Sequence, residues 1–253
     1  MLPAREDDPY IGWRPPFPEP AIAPGKAALL IVDMQRHSAH RDGATLRKVR
    51  AAGFADVAEG FCDRLDLIVP NIRRLQDAFR DAGLEVIHVR IASMTADGRD
   101  RGPSHKKLGH GAAPASADAE ILDELRPVGD ELVFSKTAGS VFCATNIEYV
   151  LRNLGIETLV VTGIVTTGCV HTAVTDAADR GFHVILVEDG CGALLPEMHA
   201  ASIRILRDVY AKILSTDDVL ERVAALRAPA RPGTGATLIE AESLGTTKRS
   251  SVG

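Results

Sequence analysis

The chain has 253 residues, enough for one large domain or at most two small ones. Its 29 basic and 34 acidic residues leave a net charge of -5 with both signs interspersed, so no basic patch marks it for nucleic acid or an anionic membrane surface. No apolar run approaches the ~20 residues of a membrane helix, and Met1 to Asp8 lacks the apolar core of a signal peptide. Four scattered cysteines, Cys62, Cys143, Cys169 and Cys191, have neither metal-finger nor disulfide-framework spacing; a reduced cytoplasmic setting is expected.

Residues 1–26 are rich in proline and read as an extended arm whose Tyr10, Ile11, Trp13 and Phe17 offer apolar surface for docking. Strands and helices then alternate. Ala27 to Asp33 is a continuous apolar strand. Leu67 to Ala82 predicts a helix, with Ile68, Ile72, Leu75 and Phe79 on one face and Gly83 after it. Leu84 to Ile91 reads as a strand, 92–117 as a long loop, Ala119 to Leu125 as a short helix, and Glu131 to Ser135 as a strand. Thr145 to Glu148 has capping-box spacing and opens a helix closed by Gly155. Glu157 to Gly163 is a strand, followed by a helix through Ala178. Strand Phe182 to Glu188, helix Pro196 to Val209, strand Ala211 to Leu214 and a helix from Ser215 complete the pattern. Residues 229–253 are a Gly/Ser/Thr-rich tail.

Six apolar strands separated by helices predict an α/β fold, a three-layer α/β/α arrangement around a six-stranded, mainly parallel sheet. One domain is expected over 27–228. In such sheets sites form beyond the carboxyl ends of the strands. Asp33, Lys136 and Cys169 all fall there. Cys169 follows an apolar strand and a Gly/Thr turn and opens a helical pattern, where the positive end of the helix dipole should lower its pKa. An acid to move the thiol proton, a cation to keep that acid ionised and a thiol to attack a carbonyl are what thiol hydrolysis of an amide needs. Alone, each residue has a plainer reading: a turn aspartate, a surface lysine, a small buried cysteine.

Three segments together resemble the isochorismatase-like cysteine hydrolases. They are Leu29-Leu30-Ile31-Val32-Asp33-Met34-Gln35, Phe134-Ser135-Lys136-Thr137, and the turn from Thr162 to Val170 around Cys169. The likeness runs over roughly residues 25–225 and covers nicotinamidases and carbamoylsarcosine, maleamate, ureidoacrylate and biuret hydrolases. It implies Asp33, Lys136 and Cys169 as catalytic residues. It also implies a cis peptide at Ile164-Val165, an oxyanion hole from the backbone N–H groups of Val165 and Cys169, and substrate contacts at Gln35 and Thr166. No cofactor is implied.

The departures narrow the expectation. The Asp-x-His metal spacing of nicotinamidases is missing, and His105 and His110 read as surface or lid residues, so no metal is expected. The nucleophilic cysteine favours C–N over ether cleavage, and Arg36, His37 and Ser38 stand where an aromatic would line a pyridine pocket. His171, next to Cys169 on a helix, points elsewhere. The reading is a cofactor-free amidohydrolase of a small carbamoyl, ureido or amide compound, acting through a thioester. The alternatives are a nicotinamidase-like or isochorismatase-like hydrolase of the same fold, or a non-catalytic interaction protein. A pocket lining from 36–62 and 92–117 is read as loop-like. A homo-oligomer, dimer or tetramer, is expected from the resemblance and from the arm.

Overall fold

The computed structural model of the protein describes residues 15–226. Tyr10, Ile11, Trp13 and the segment 229–253 lie outside the described residues. Six strands, β1 (Ala27–Val32), β2 (Glu85–Ile91), β3 (Leu132–Lys136), β4 (Thr158–Ile164), β5 (His183–Gly192) and β6 (Lys212–Leu214), form one sheet in the order β3-β2-β1-β4-β5-β6. Every pairing is parallel. β1 and β4 are buried along their whole length, as continuous apolar runs covered on both faces must be.

The side chains of β1 alternate between two cores. Leu29 and Ile31 face one with Phe61, Ile72, Phe79 and Val219; Leu30 and Val32 face the other with Ile147, Leu151, Val174 and Ile203. The first core lies under α3 (Ala55–Asp81) and α9 (Thr216–Ala224). The second lies under α5 (Val141–Ala144), α6 (Ile147–Asn153), α7 (His171–Asp179) and α8 (Pro196–Leu206). The strand order reverses between β1 and β4, and that switch opens a crevice at their carboxyl ends.

Helices α1 (Arg36–Ala39) and α2 (Ala44–Ala51) occupy the stretch expected to be loop, and α3 begins at Ala55, not Leu67. Its buried stripe extends through Ala58, Phe61, Cys62 and Leu65. Pro70 masks this in the sequence, because a helix-interior proline normally breaks the hydrogen-bond ladder. Here Pro70 and Asp66 are on the exposed side of the helix, where water can take the carbonyl the ring leaves unbonded.

The 92–117 stretch carries one short helix, α4 (Pro103–Leu108). In place of the expected helix near 119–125 there are two 3-10 turns, Ala117–Ala119 and Asp123–Leu125. Backbone bonds to the chain after β1 pull the segment straight between them: Arg36 N donates to Glu120 O, and Leu122 N to Met34 O. The described end of the arm, Pro15 to Ala23, has no regular structure. Pro20 and Ile22 are buried, and Glu19 pairs with Lys212 and Arg222.

Candidate active site

Asp33 directly follows β1 in a left-handed conformation, φ 55°. Its neighbour across the switch point is Gly163 on β4, in register with Val32. Gly163 has φ 113°, and a Cβ there would lie 2.0 Å from Val32 O. Only glycine lets the two backbones come this close. At the same position the β4–β5 register shifts between Val161 and Gly163. That irregularity turns the chain into the Ile164-Val165 peptide, which is cis, and then into a π-helical turn, Thr166–Val170, that carries Cys169 ahead of α7.

Lys136 ends β3, two strands away from β1, and its long stem spans that gap. The ammonium is fully buried and its three donors are all used. Nζ donates to Asp33 Oδ2 at 2.9 Å, to Cys169 Sγ at 3.1 Å and to Ala138 O at 3.2 Å. The structure therefore brings Asp33, Lys136 and Cys169 together. Asp33 is also buried, and its second oxygen, Oδ1, has no hydrogen-bond partner. The carboxylate retains an open acceptor beside the thiol.

The electrostatics differ from the expectation of a lowered thiol pKa. Burial, and then the Asp33 carboxylate, push Cys169 up to about 12, against the opposing pull of Lys136. Burial alone would push Lys136 down, but Asp33 and Cys169 outweigh it and the ammonium is held above its ordinary value.

Two expected substrate contacts are committed elsewhere. Gln35 is completely buried; its Nε2 donates to Ile91 O and Asp118 O, both at 3.0 Å, and its Oε1 accepts from Ile91 N at 2.5 Å. It ties the chain after β1 to the end of β2. Thr166 is buried, its Oγ1 2.8 Å from His199 Nδ1. Arg64 approaches His199 Nε2 at 3.4 Å and donates to Glu188 O and Cys191 O. A cation facing Nε2 favours a lone pair there, so Nδ1 carries the proton and donates to Thr166. Burial and Arg64 push His199 down to about 4, which keeps it neutral. No pattern in the sequence points to Arg64 or His199, which come from α3 and α8.

His105 and His110 are not surface residues either. His105 is buried and His110 half-buried. They cluster with the buried His37, ring centroids 5.2 Å from His37 to His110 and 5.8 Å from His105 to His110. Among the described residues no three His, Cys, Asp or Glu side chains are grouped to hold a metal ion.

The fold has counterparts among known proteins. The isochorismatase domain family model matches residues 27–218. The N-carbamoylsarcosine amidase of an Arthrobacter species is 30% identical over 65% of this chain and 64% of its own length. The ureidoacrylate amidohydrolase of Agrobacterium fabrum is 31% identical over 72% of this chain and 83% of its own. A solved cysteine hydrolase from Pseudomonas syringae superposes with a TM-score of 0.71 at 24% identity, covering 84% of this chain and 98% of that one. The chain belongs to the isochorismatase family.

Proposed function

We propose that the protein is a cysteine amidohydrolase that cleaves a C–N bond of a small carbamoyl, ureido or amide compound without a cofactor. The observation that carries this reading is Lys136 Nζ bonded at once to Asp33 Oδ2 and Cys169 Sγ, with Asp33 Oδ1 left open. The names of relatives that act on N-carbamoylsarcosine and ureidoacrylate support it.

The sequence of events follows from the groups present. Asp33 takes the Cys169 proton as sulfur attacks the substrate carbonyl, and Lys136 stabilises the negative charge on both partners. The backbone N–H groups of Val165 and Cys169 receive the oxyanion. Loss of one such donor typically costs on the order of 10²–10³ in rate. Asp33 then returns the proton to the leaving nitrogen, the C–N bond breaks and an acyl thioester remains on Cys169. Asp33 next deprotonates a water that attacks the thioester, and the acid product and the free thiol are released. Gln35 and Thr166 act in this scheme by holding the strand ends and the nucleophile turn in place.

Ammonia release from a panel of ureides, carbamoyl compounds and primary amides tests the reading. Wild-type turnover of at least one compound is expected, with an acyl adduct trapped at Cys169 by rapid acid quench and mass spectrometry. Cys169→Ser should keep the fold by circular dichroism and lose at least about 10³ in kcat/KM. Substantial activity in Cys169→Ser would sink the covalent mechanism.

A further inference from the structure

His199 is a half-buried imidazole to which the proposed reaction gives no task, yet it lies between the nucleophile turn and a cation. The cation is Arg64 on α3, whose guanidinium holds the end of β5. Nε donates to Cys191 O at 2.9 Å, and Nη2 donates to Cys191 O at 2.6 Å and to Glu188 O at 2.7 Å. Cys191 and Gly192 are in register with Gly163 and Ile164, the last two residues of β4 before the turn that carries Cys169. The stem of Arg64 lies against this strand end: a Cβ at Gly192 would stand 3.0 Å from Arg64 Cγ.

The same guanidinium reaches the turn itself. Arg64 Nη2 lies 3.4 Å from His199 Nε2, and His199 Nδ1 lies 2.8 Å from Thr166 Oγ1. A donor facing Nε2 leaves Nδ1 as the N–H of the neutral ring, so the ring donates and Thr166 accepts. Thr166 is completely buried and is the first residue of the π-helical turn. The residue before it, Val165, carries the carbonyl from which the turn hangs. Val165 O accepts from Gly168 N at 2.9 Å and from Val170 N at 3.3 Å, on either side of Cys169. One arginine therefore grips the strand pair that enters the turn and, through an imidazole, the start of the turn.

We infer that Arg64 and His199 are positioning residues: Arg64 acts through the His199 ring on Thr166 and so sets where the Val165 and Cys169 N–H groups receive the oxyanion. Donors of this kind stabilise the charge only when they are held at hydrogen-bond distance from the place where it develops, so a displaced turn loses rate even with the thiol in place. This rests on the amidohydrolase reading and adds to it two residues that act through the turn and need not touch the substrate.

The test compares two reactions of Cys169 that differ in their need for the oxyanion donors. Para-nitrophenyl acetate acylates the sulfur through a tetrahedral oxyanion: the S–C bond forms, the ester C–O bond breaks and nitrophenolate leaves. Iodoacetamide alkylates the sulfur by direct displacement of iodide and forms no oxyanion. Both initial rates are read on the Cys169 peptide by rapid quench and mass spectrometry, with exposed Cys143 as the reference in the same sample. Arg64→Met and His199→Leu should each lower the acylation-to-alkylation ratio at Cys169 about tenfold or more, with alkylation within about twofold of wild type, which also reports an intact site. The double variant should be no worse than either single one, because the two side chains act in series. Arg64→Lys keeps the charge and His199→Asn keeps an N–H in place of Nδ1–H, so each should recover part of the ratio. An unchanged ratio in either single variant, including one in which both rates fall together, or losses that multiply in the double variant, would overturn the relay and leave the hydrolase reading in place. Wild-type Cys169 acylated no faster than Cys143 would instead sink the amidohydrolase reading, and the relay with it.

Discussion

A buried lysine with three acceptors around it is a group that few substitutions can replace. Lys136 supplies one compact charge to a carboxylate, a sulfur and a carbonyl at 2.9–3.2 Å. Arginine brings a wider planar fork into a fully buried site. Lys136→Arg should therefore lower kcat/KM by at least about 10², measured on the best substrate of the panel. Asp33→Asn keeps the shape but removes the carboxylate beside the thiol. It should lose as much or more, and because the buried Lys136 ammonium then lacks its counter-charge, urea unfolding should show a loss of about 3–5 kcal/mol. If Asp33→Asn turns over normally, the proton must leave Cys169 by another route. Burial and the Asp33 carboxylate push the Cys169 thiol up to about 12, which is why the proposed mechanism has Asp33 take the proton as sulfur attacks.

At the level of elements, the crevice is set by one close approach and one long helix. Gly163→Ala forces a Cβ onto Val32 O in a left-handed backbone. It should cost about 3 kcal/mol or more in urea unfolding and separate Asp33 from Cys169. Gly60, inside α3, has no neighbouring atom that a Cβ would meet. Gly60→Ala should instead raise stability by about 0.5–1 kcal/mol. Equal effects of the two substitutions would show that the β1–β4 approach does not matter. The packing of α8 and α3 on the nucleophile turn gives a pH signature. His199 is neutral in the fold and pushed down to about 4 by burial and Arg64, whereas an unfolded histidine titrates near 6.5. The unfolded chain then binds the extra proton, so stability should fall as pH drops from about 6.5 towards 4. Glu188, pushed up by burial, works in the opposite sense over its own range. Thermal melts of wild type and His199→Gln should show a shallower loss over that window in the variant. Parallel curves would mean that another group carries the acid sensitivity.

For the molecule as a whole, the arm is fastened at its described end. Glu19 bridges Lys212 on β6 and Arg222 on α9, and Pro20 and Ile22 are buried. Exposed ion pairs contribute little singly, so the effect of the arm is in its apolar burial. Deletion of residues 1–20 should lower the melting temperature by a few degrees. If the arm also crosses to a neighbouring subunit, light scattering should show a smaller assembly than the dimer or tetramer expected of the full chain. Unchanged mass and stability would reduce the arm to a tail.

The sequence by itself determined the sheet and the placement of Asp33, Lys136 and Cys169 at its carboxyl edge. Continuous apolar runs can only be buried parallel strands, and a charged or thiol residue just after such a run has only the sheet's carboxyl edge to occupy. Asp33, Lys136 and Cys169 were legible for that reason. Tertiary structure decided what has no local pattern. α3 runs past Pro70 because burial of Phe61 and Leu65 outweighs one missing hydrogen bond. The Cys169 thiol is pushed up to about 12 by burial and Asp33 against the pull of Lys136, groups that reach it from the ends of β1 and β3. Gln35 and Thr166 are struts because Ile91, Asp118 and His199, all distant in sequence, reach them first. His37, His105 and His110 meet across a long loop, and neither helical nor strand periodicity encodes that meeting.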